Sequence, residues 1–295
     1  MAIWNLGSIN IDHVYRLDHL PAPGETVGSV EYSLGPGGKG ANQSVAAARA
    51  GAHVVHIGAL AAQGDDWVLD RLQEDGVDVT HIARLPHSAT GHAIILVDSA
   101  AENAIIVHAG ANRRLTEQQL AGALSGIGPD DILLIQNETN LQVEAAQLAR
   151  KAGARVIYSC APFDVQAAQA MMEHVSVLAV NAHEAAQLAE AIPGDLPVPA
   201  MLITKGAEGA EYRDLQSGRA VHQKAFPVTP VDTTGAGDCF AGYFAAELDA
   251  GRDLAEALRH AAAASAIKVT RRGAVDAIPE AAEVLDFLAG QDRAG

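Results

Sequence analysis

The chain of 295 residues is 49% hydrophobic, 19% charged and only 4% aromatic, with a formal net charge of −16. That length allows one large domain or two ordinary ones, and the composition supports a sizeable aliphatic core with many close helix contacts. The acidic balance argues against nucleic acid or an anionic membrane as partner, since phosphate-rich surfaces are held by basic faces, but not against a small anion gripped by a few local donors. Apolar runs at 2–9, 52–59, 131–136, 154–159, 175–180 and 200–204 read as buried parallel strands. Helical patterns follow or lie between them at 41–50, 67–76, 116–124, 141–152 and 182–191. The alternation predicts an α/β fold: an open, mostly parallel central sheet flanked by helices on both faces.

Two segments interrupt that rhythm. Residues 12–34 alternate in places around a Pro-Ala-Pro-Gly turn, and 90–108 read as a hairpin. Neither has a crossover helix. They predict a small β lid from 12–35 and 89–108, on a body of 1–11, 36–88 and 109–295. Such a lid has an apolar face that needs cover from a ligand or a second subunit. Antiparallel strands at 208–214 and 218–226 and two Ala-rich helices at 236–250 and 253–271 complete the chain. The two cysteines, Cys160 and Cys239, form no disulfide framework, and residues 1–13 lack a basic region followed by an apolar run. No apolar stretch reaches the roughly 18 residues of a membrane span. These features predict a soluble cytoplasmic protein.

The stretch GPGGKGAN (35–42) contains Gly35-x-Gly37-x-x-Gly40, a dinucleotide fingerprint in outline, and a Gly-Lys pair reminiscent of a P-loop. Both assignments fail on context. The glycines follow the lid segment instead of a buried strand, and no acidic residue occurs from His53 to Leu60 to bind a ribose. Lys39 is followed by Gly40, where a P-loop has Ser or Thr. What the residues offer is close backbone approach, exposed amides at a helix start, and donors on Lys39 and Asn42, which suit a polyhydroxylated ligand.

A second glycine turn sharpens this. In DTTGAGDCFAGYFAAEL (232–248), Gly235-Ala236-Gly237 runs straight into a helix whose first turn bears Asp238. Small residues leave the N–H groups bare, and the helix dipole turns its positive end toward the same point. A transferred phosphoryl group would be stabilised there, and the adjoining carboxylate is suited to take a proton from an attacking hydroxyl. Anion hole and base together are what phosphorylation of an alcohol requires.

With GPGGKGANQSVAAARAGA (35–52) and VDTTGAGDCFAGYFAAEL (231–248) in this order, the chain resembles the ribokinase-like, or phosphofructokinase B, family of carbohydrate kinases. The likeness extends through GSINIDH (7–13), PAPGETV (21–27), HAGANRRLT (108–116), LLIQNET (133–139), VNAHEA (180–185), LITKGAEG (202–209) and VTRRGAVDAIP (269–279), and so covers essentially the whole length.

The resemblance implies an ATP-dependent kinase acting on a small sugar, ribose at its 5-hydroxyl foremost. It implies that Asn10, Asp12, Gly38, Lys39, Asn42 and Glu138 bind the sugar, with Asp238 as base and Gly235, Ala236 and Gly237 as anion hole. It implies that Asn181 and Glu184 organise Mg2+ and the triphosphate, and that Thr204, Lys205 and Gly206, with Gly237, line the nucleotide. A monovalent cation, K+, is implied beside Asp232 and Thr234, with backbone carbonyls near Lys268, Arg271 and Gly273. Two residues depart from the family pattern: Ala277, where a hydroxyl side chain is frequent, and Tyr243, where a small residue is usual. A homodimer formed through the lid is also implied. Another sugar or a nucleoside as acceptor, and a non-catalytic sugar sensor on the same fold, are the alternatives. Cys239 reads as helix packing, and the twelve histidines as no metal cluster.

Overall fold

The computed structural model describes residues 1–100 and 102–294; Ala101, in the predicted hairpin turn, and Gly295, at the end of the predicted body, lie outside the described residues. The chain runs β1 (Ile3–Leu6), β2 (Asn10–Arg16), β3 (Glu31–Gly37), α1 (Lys39–Arg49), β4 (Val54–Ala61), α2 (Asp66–Glu74), β5 (Val77–Leu85), β6 (Gly91–Val97) and β7 (Asn103–His108). It continues α3 (Glu117–Ala123), β8 (Ile132–Gln136), α4 (Gln142–Lys151), β9 (Arg155–Ser159), α5 (Val165–Met171), β10 (Val177–Asn181), α6 (Ala182–Ala191), β11 (Ala200–Thr204), β12 (Ala210–Asp214) and β13 (Ala220–Gln223). Three helices follow: α7 (Ala236–Asp249), α8 (Leu254–Val269) and α9 (Ala281–Ala294).

Nine strands form the main sheet in the order β13-β12-β11-β10-β9-β8-β1-β4-β5. From β5 to β11 neighbours are parallel; β12 and β13 extend that edge antiparallel. The expected α/β sheet is therefore present. The lid is a separate four-stranded sheet, β3-β2-β6-β7, with β2 and β6 parallel and the outer pairs antiparallel.

The first apolar run does not continue to residue 9. β1 stops at Leu6, and the backbone turns at Gly7 and Ser8 so that Asn10 starts the lid. A Cβ on Gly7 would collide with the backbone of Gly40, so the bend sits hard against the start of α1. Asn10 and Asp12 thus stand on a lid strand, two residues apart on one face.

Strand alternation divides the core. Ile3, Ile132, Leu134, Ile157, Ala179 and Leu202 face α1, α7 and α8, while Trp4, Leu6, Leu133, Ile135, Tyr158 and Leu178 pack against α3, α4 and α6. Asn5 and Gln136 fall on the α1/α7 side by the same period of two, and there a polar site replaces the apolar core. α1 and α7 meet almost backbone to backbone, because a Cβ on Gly242 would lie 2.5 Å from the Gln43 carbonyl oxygen and 2.6 Å from the Ala46 Cβ. Asp238 precedes Gly242 by one helical turn, so this close approach carries Asp238 to the side chains of Asn42 and Gln43.

Candidate active site

Two helices begin at one cleft of about 220 Å³, whose lining includes Lys39, Glu184, Thr204, Gly235, Gly237 and Asp238. Both are preceded by a left-sided glycine: Gly38 at φ 91° before α1 and Gly235 at φ 72° before α7. Any side chain would strain those positions.

Asp238 is buried. Its Oδ2 accepts from Asn42 Nδ2 and its Oδ1 from Gln43 Nε2, each at 3.0 Å. Burial pushes its pKa above the usual carboxylate value, against the opposing pull of Lys39, Asn42 and Gln43. Beside it, the Ala236 N–H donates back to the Thr233 carbonyl at 3.1 Å. Among the described residues, the N–H groups of Gly235, Gly237 and Asp238 have no protein acceptor. The expected anion hole is corrected in this respect: Ala236 contributes a small side chain, and the free amides belong to its neighbours.

Lys39 donates its backbone N–H to Glu138 Oε2 at 3.1 Å, with its Nζ 3.9 Å from Oε1. Ser8 Oγ also donates to Glu138 Oε2, at 2.5 Å. Burial opposes the charge on Lys39, but Asp238, Glu138, Glu184 and Asp12 outweigh it and its pKa rises. Asp12 moves upward to about 6, by burial first and by Glu138 second, with Lys39 acting the other way. Its carboxylate has room only because Gly37, on the neighbouring strand, is bare. Asn10 is held by Asn112, whose Nδ2 donates to Asn10 Oδ1 at 2.8 Å. Asn42 Oδ1 is buried without a partner, an acceptor left for a ligand hydroxyl.

Beneath these groups lies a polar network absent from the sequence-based expectations. Gln43 Oε1 accepts from Gln136 Nε2 (2.7 Å), which also donates to Asn5 Oδ1 (2.9 Å). Asn5 donates to Ser44 Oγ and the Gly40 carbonyl, both at 2.8 Å. Ser44 meets His56 Nδ1 at 2.8 Å, and His56 Nε2 reaches the Gly7 carbonyl. Burial lowers the His56 pKa to about 4, so it is a neutral strut.

On the side of the cleft expected to hold the nucleotide, Asn181 and Glu184 form a reciprocal cap on α6: Asn181 Oδ1 accepts from the Glu184 N–H (2.9 Å) and Glu184 Oε2 from the Asn181 N–H (2.8 Å). This engages one oxygen of Glu184. Mg2+ keeps most of its waters and takes one or two carboxylates, so a half-buried Glu184 lining the cleft fits it. Thr204 lines the cleft. Lys205 departs from expectation: its Nζ donates to Glu211 Oε2 at 2.6 Å. Glu211 is a buried carboxylate on β12 that needs its cations, Lys205 and Arg213, and so draws the ammonium aside. Gly206 starts the short helical turn behind Lys205.

The residues expected around K+ are only partly free to serve. Asp232 Oδ1 accepts from the Thr234 N–H and Oδ2 from the Gly273 N–H, each at 2.9 Å. These bonds hold its pKa below the usual value in spite of burial. The Arg271 side chain pairs with Glu283, and the Lys268 carbonyl accepts from the Arg271 N–H at 3.0 Å. Lys268 Nζ itself donates to the Asp232 carbonyl at 3.0 Å. Ala277 is buried and offers no side-chain oxygen. Among the described residues the backbone carbonyls of Thr234, Arg271 and Gly273 accept no hydrogen bond, so with the Asp232 carboxylate beside them these oxygens can still hold a monovalent cation. Tyr243 packs away from the cleft, its hydroxyl donating to the Pro279 carbonyl at 2.7 Å. Burial pushes the Cys239 thiol up to about 12, so it serves as helix packing.

A carboxylate seated between two amides, at the open start of a glycine-led helix, defines a phosphotransfer site for an alcohol acceptor. The chain belongs to the pfkB family of carbohydrate kinases, whose model matches residues 3–281. It is 36% identical to a ribokinase of Haemophilus influenzae over 96% of this chain and 97% of that one. Among solved structures it is similar to a ribokinase of Thermotoga maritima, with a TM-score of 0.86 and 32% identity over 98% and 99% of the two chains. It is also similar to an Arabidopsis thaliana ribokinase complexed with ribose and ATP, with a TM-score of 0.85 and 26% identity over 98% and 99%.

Proposed function

We propose that this kinase transfers the γ-phosphoryl group of ATP to the 5-hydroxyl of ribose, giving ribose 5-phosphate and ADP. The observation that carries the reading is the Asp238 carboxylate, buried between Asn42 and Gln43 beside unpartnered helix-start amides. The names of the relatives above favour ribose over other acceptors.

In this mechanism the sugar lies between the lid and α1. Asn10, Asp12 and Glu138 accept its hydroxyl hydrogens, while Lys39 and the Gly38 backbone hold oxygens from below. Asn42 Oδ1, the orphan acceptor, takes a further hydroxyl. Asp238 accepts the proton of the primary hydroxyl as that oxygen bonds to the γ-phosphorus. The bond from phosphorus to the β,γ-bridging oxygen breaks, and ADP departs with that electron pair. The amides of Gly235, Gly237 and Asp238 stabilise the charge that gathers on the phosphoryl oxygens. Asn181, Glu184, Thr204 and Gly206 belong to the nucleotide side. Magnesium bound with the triphosphate would neutralise its charge, held at Glu184 through water.

The reading includes a homodimer through the lid. Ile105, Ile106 and Val107 on the edge strand β7, and Tyr32 and Leu34 on β3, are all about half exposed or more, an apolar surface that a second copy would cover. It also includes a cytoplasmic setting, supported by two free, buried cysteines. Among the described residues no helix is long and apolar enough to cross a membrane.

The test is ADP release with a panel of ribose, deoxyribose, other pentoses, hexoses and nucleosides, run beside Asp238→Asn. Ribose should give the highest kcat/KM, and Asp238→Asn should lower turnover by about 10²- to 10⁴-fold with sugar affinity retained. Turnover that survives in Asp238→Asn would remove the base; ribose binding without ADP release would favour a sensor.

A further inference from the structure

The buried polar network beneath Asp238 has only one consistent arrangement of donors and acceptors. Asn5, Gln43, Ser44, His56 and Gln136 are fully buried, so each must find its partners within the protein. The Gly7 carbonyl can only accept, so the His56 nitrogen facing it, Nε2 at 3.1 Å, carries the proton. His56 is neutral, since burial lowers its pKa to about 4, and its Nδ1 is therefore a bare acceptor. The Ser44 hydroxyl, 2.8 Å away, must donate to it. Ser44 Oγ is then left to accept, and Asn5 meets it with Nδ2 at 2.8 Å. The Gly40 carbonyl takes the other proton of the same amide nitrogen, also at 2.8 Å.

This polarity runs on into the site. With Nδ2 committed, Asn5 turns Oδ1 to Gln136, the last residue of β8, which must answer with Nε2 at 2.9 Å. The second proton of that nitrogen goes to Gln43 at 2.7 Å and fixes the facing atom of Gln43 as Oε1. What Gln43 has left for Asp238 is Nε2, which donates to Oδ1 at 3.0 Å. Gln136 Oε1 is left without a partner among the described residues, yet turning that amide over would set its oxygen against two others. The backbone carbonyls of Gly7 and Gly40 thus decide, through this chain of side chains, what Asp238 meets.

We infer that Gln136 is a positioning residue for the transfer: it holds the Gln43 amide in the one orientation that donates to Asp238, and so keeps that carboxylate an acceptor for the sugar's proton. The inference rests on the base role proposed above for Asp238. Without Gln136 Nε2, the Gln43 amide is free to turn over. Its oxygen then faces Asp238, accepts from a carboxyl proton and favours the protonated form. A protonated Asp238 cannot take the hydroxyl proton. Lys39, Glu138 and Lys268 also act on Asp238 by charge, and Gln136→Met alters none of them.

The experiment measures kcat/KM for ADP release against pH, with the fastest acceptor of the panel above, in the wild type, Gln136→Met, Gln43→Leu and the double variant. Methionine is close to glutamine in volume and lacks the donor. The acidic limb of Gln136→Met should move up by about one pH unit, so that the rate falls about tenfold on that limb and returns to within about twofold of wild type on the plateau. Gln43→Leu should move the limb in the same direction, and the double variant no further than Gln43→Leu alone, because Gln136 acts through Gln43. Gln136→Glu, an acceptor at both contacts, is the second variant should the methionine protein not fold, and its limb should move at least as far. A Gln136 variant that melts earlier but leaves the limb in place shows packing alone and overturns the inference. So does a double variant whose shift is the sum of the two. A limb that moves in Gln43→Leu but not in the Gln136 variants sinks this inference and spares the base; a limb fixed in all of them removes Asp238 as base, and the inference with it.

Discussion

Asn42 and Asp238, 196 residues apart in the chain, are joined by a 3.0 Å hydrogen bond, and Gln43 holds the other oxygen of the same carboxylate. The first signature thus supplies the donors and the second the acceptor. Burial raises the Asp238 pKa, and these donors restrain it. Gln43→Leu keeps the volume and deletes one donor. With less to favour the ionised form, the acidic limb of the kcat/KM profile should move to higher pH. A limb that stays fixed, or moves down, would show that Asp238 does not set it.

Asp12 illustrates a cost of burying a carboxylate in the proposed sugar site. Its folded-state pKa of about 6 lies above the ordinary carboxylate value of 3.8. An acid raised on folding penalises the folded state when ionised, so the penalty is absent below about pH 4 and complete above about pH 6. Asp12→Asn should stabilise the ligand-free protein at pH 7.5 by up to about 3 kcal/mol. The gain should vanish as pH falls through 6 toward 4, while the KM for sugar rises. Melting curves across that range provide the check; a gain independent of pH would refute it.

Gly242→Ala sets two effects against each other. Alanine improves helix propensity by up to about 1 kcal/mol. The added Cβ, however, meets the Gln43 carbonyl and the Ala46 methyl at 2.5 and 2.6 Å, neither the end of a flexible chain. Overpacking of this kind costs about 1–3 kcal/mol, so the variant should unfold earlier in urea and lose turnover. A more stable variant would mean that α1 and α7 separate freely.

Ile106 is 63% exposed on the unpaired edge of the lid. Ile106→Glu should shift the protein from dimer to monomer in sedimentation velocity, since a desolvated carboxylate opposes association. A wild-type monomer at micromolar concentration would remove the lid-mediated dimer.

The sequence was most informative where structure is made locally. α6 and β11 occupy the residues their patterns indicate, because a capped amphipathic helix and a continuous apolar run are each complete in themselves. β5 went unseen because VDVTHIARL mixes polar and apolar residues, as suits a half-buried edge strand. α5 is only seven residues long, too short for a periodic signal, and α9 also escaped the sequence-based assignment. Lys39, Asn42 and Asp238 were legible because each sits in a contiguous glycine motif. Gln43, Asn112, Gln136 and Asn5 were not, since their partners come from other elements. The Lys205–Glu211 pair was hidden for a related reason: Glu211 meets the ammonium only once β12 folds back antiparallel on β11.

The crossing of Gly7 and Gly40 has a further consequence. No methyl group fits between these two backbones, so the spacing between the sheet and α1 is gauged by main chain touching main chain. Side chains can shorten or swing to absorb an error; a main-chain stop cannot. Damage at this junction should therefore be abrupt, with even the smallest added side chain displacing Asn42 and Gln43 together, and natural drift should find few intermediate solutions there.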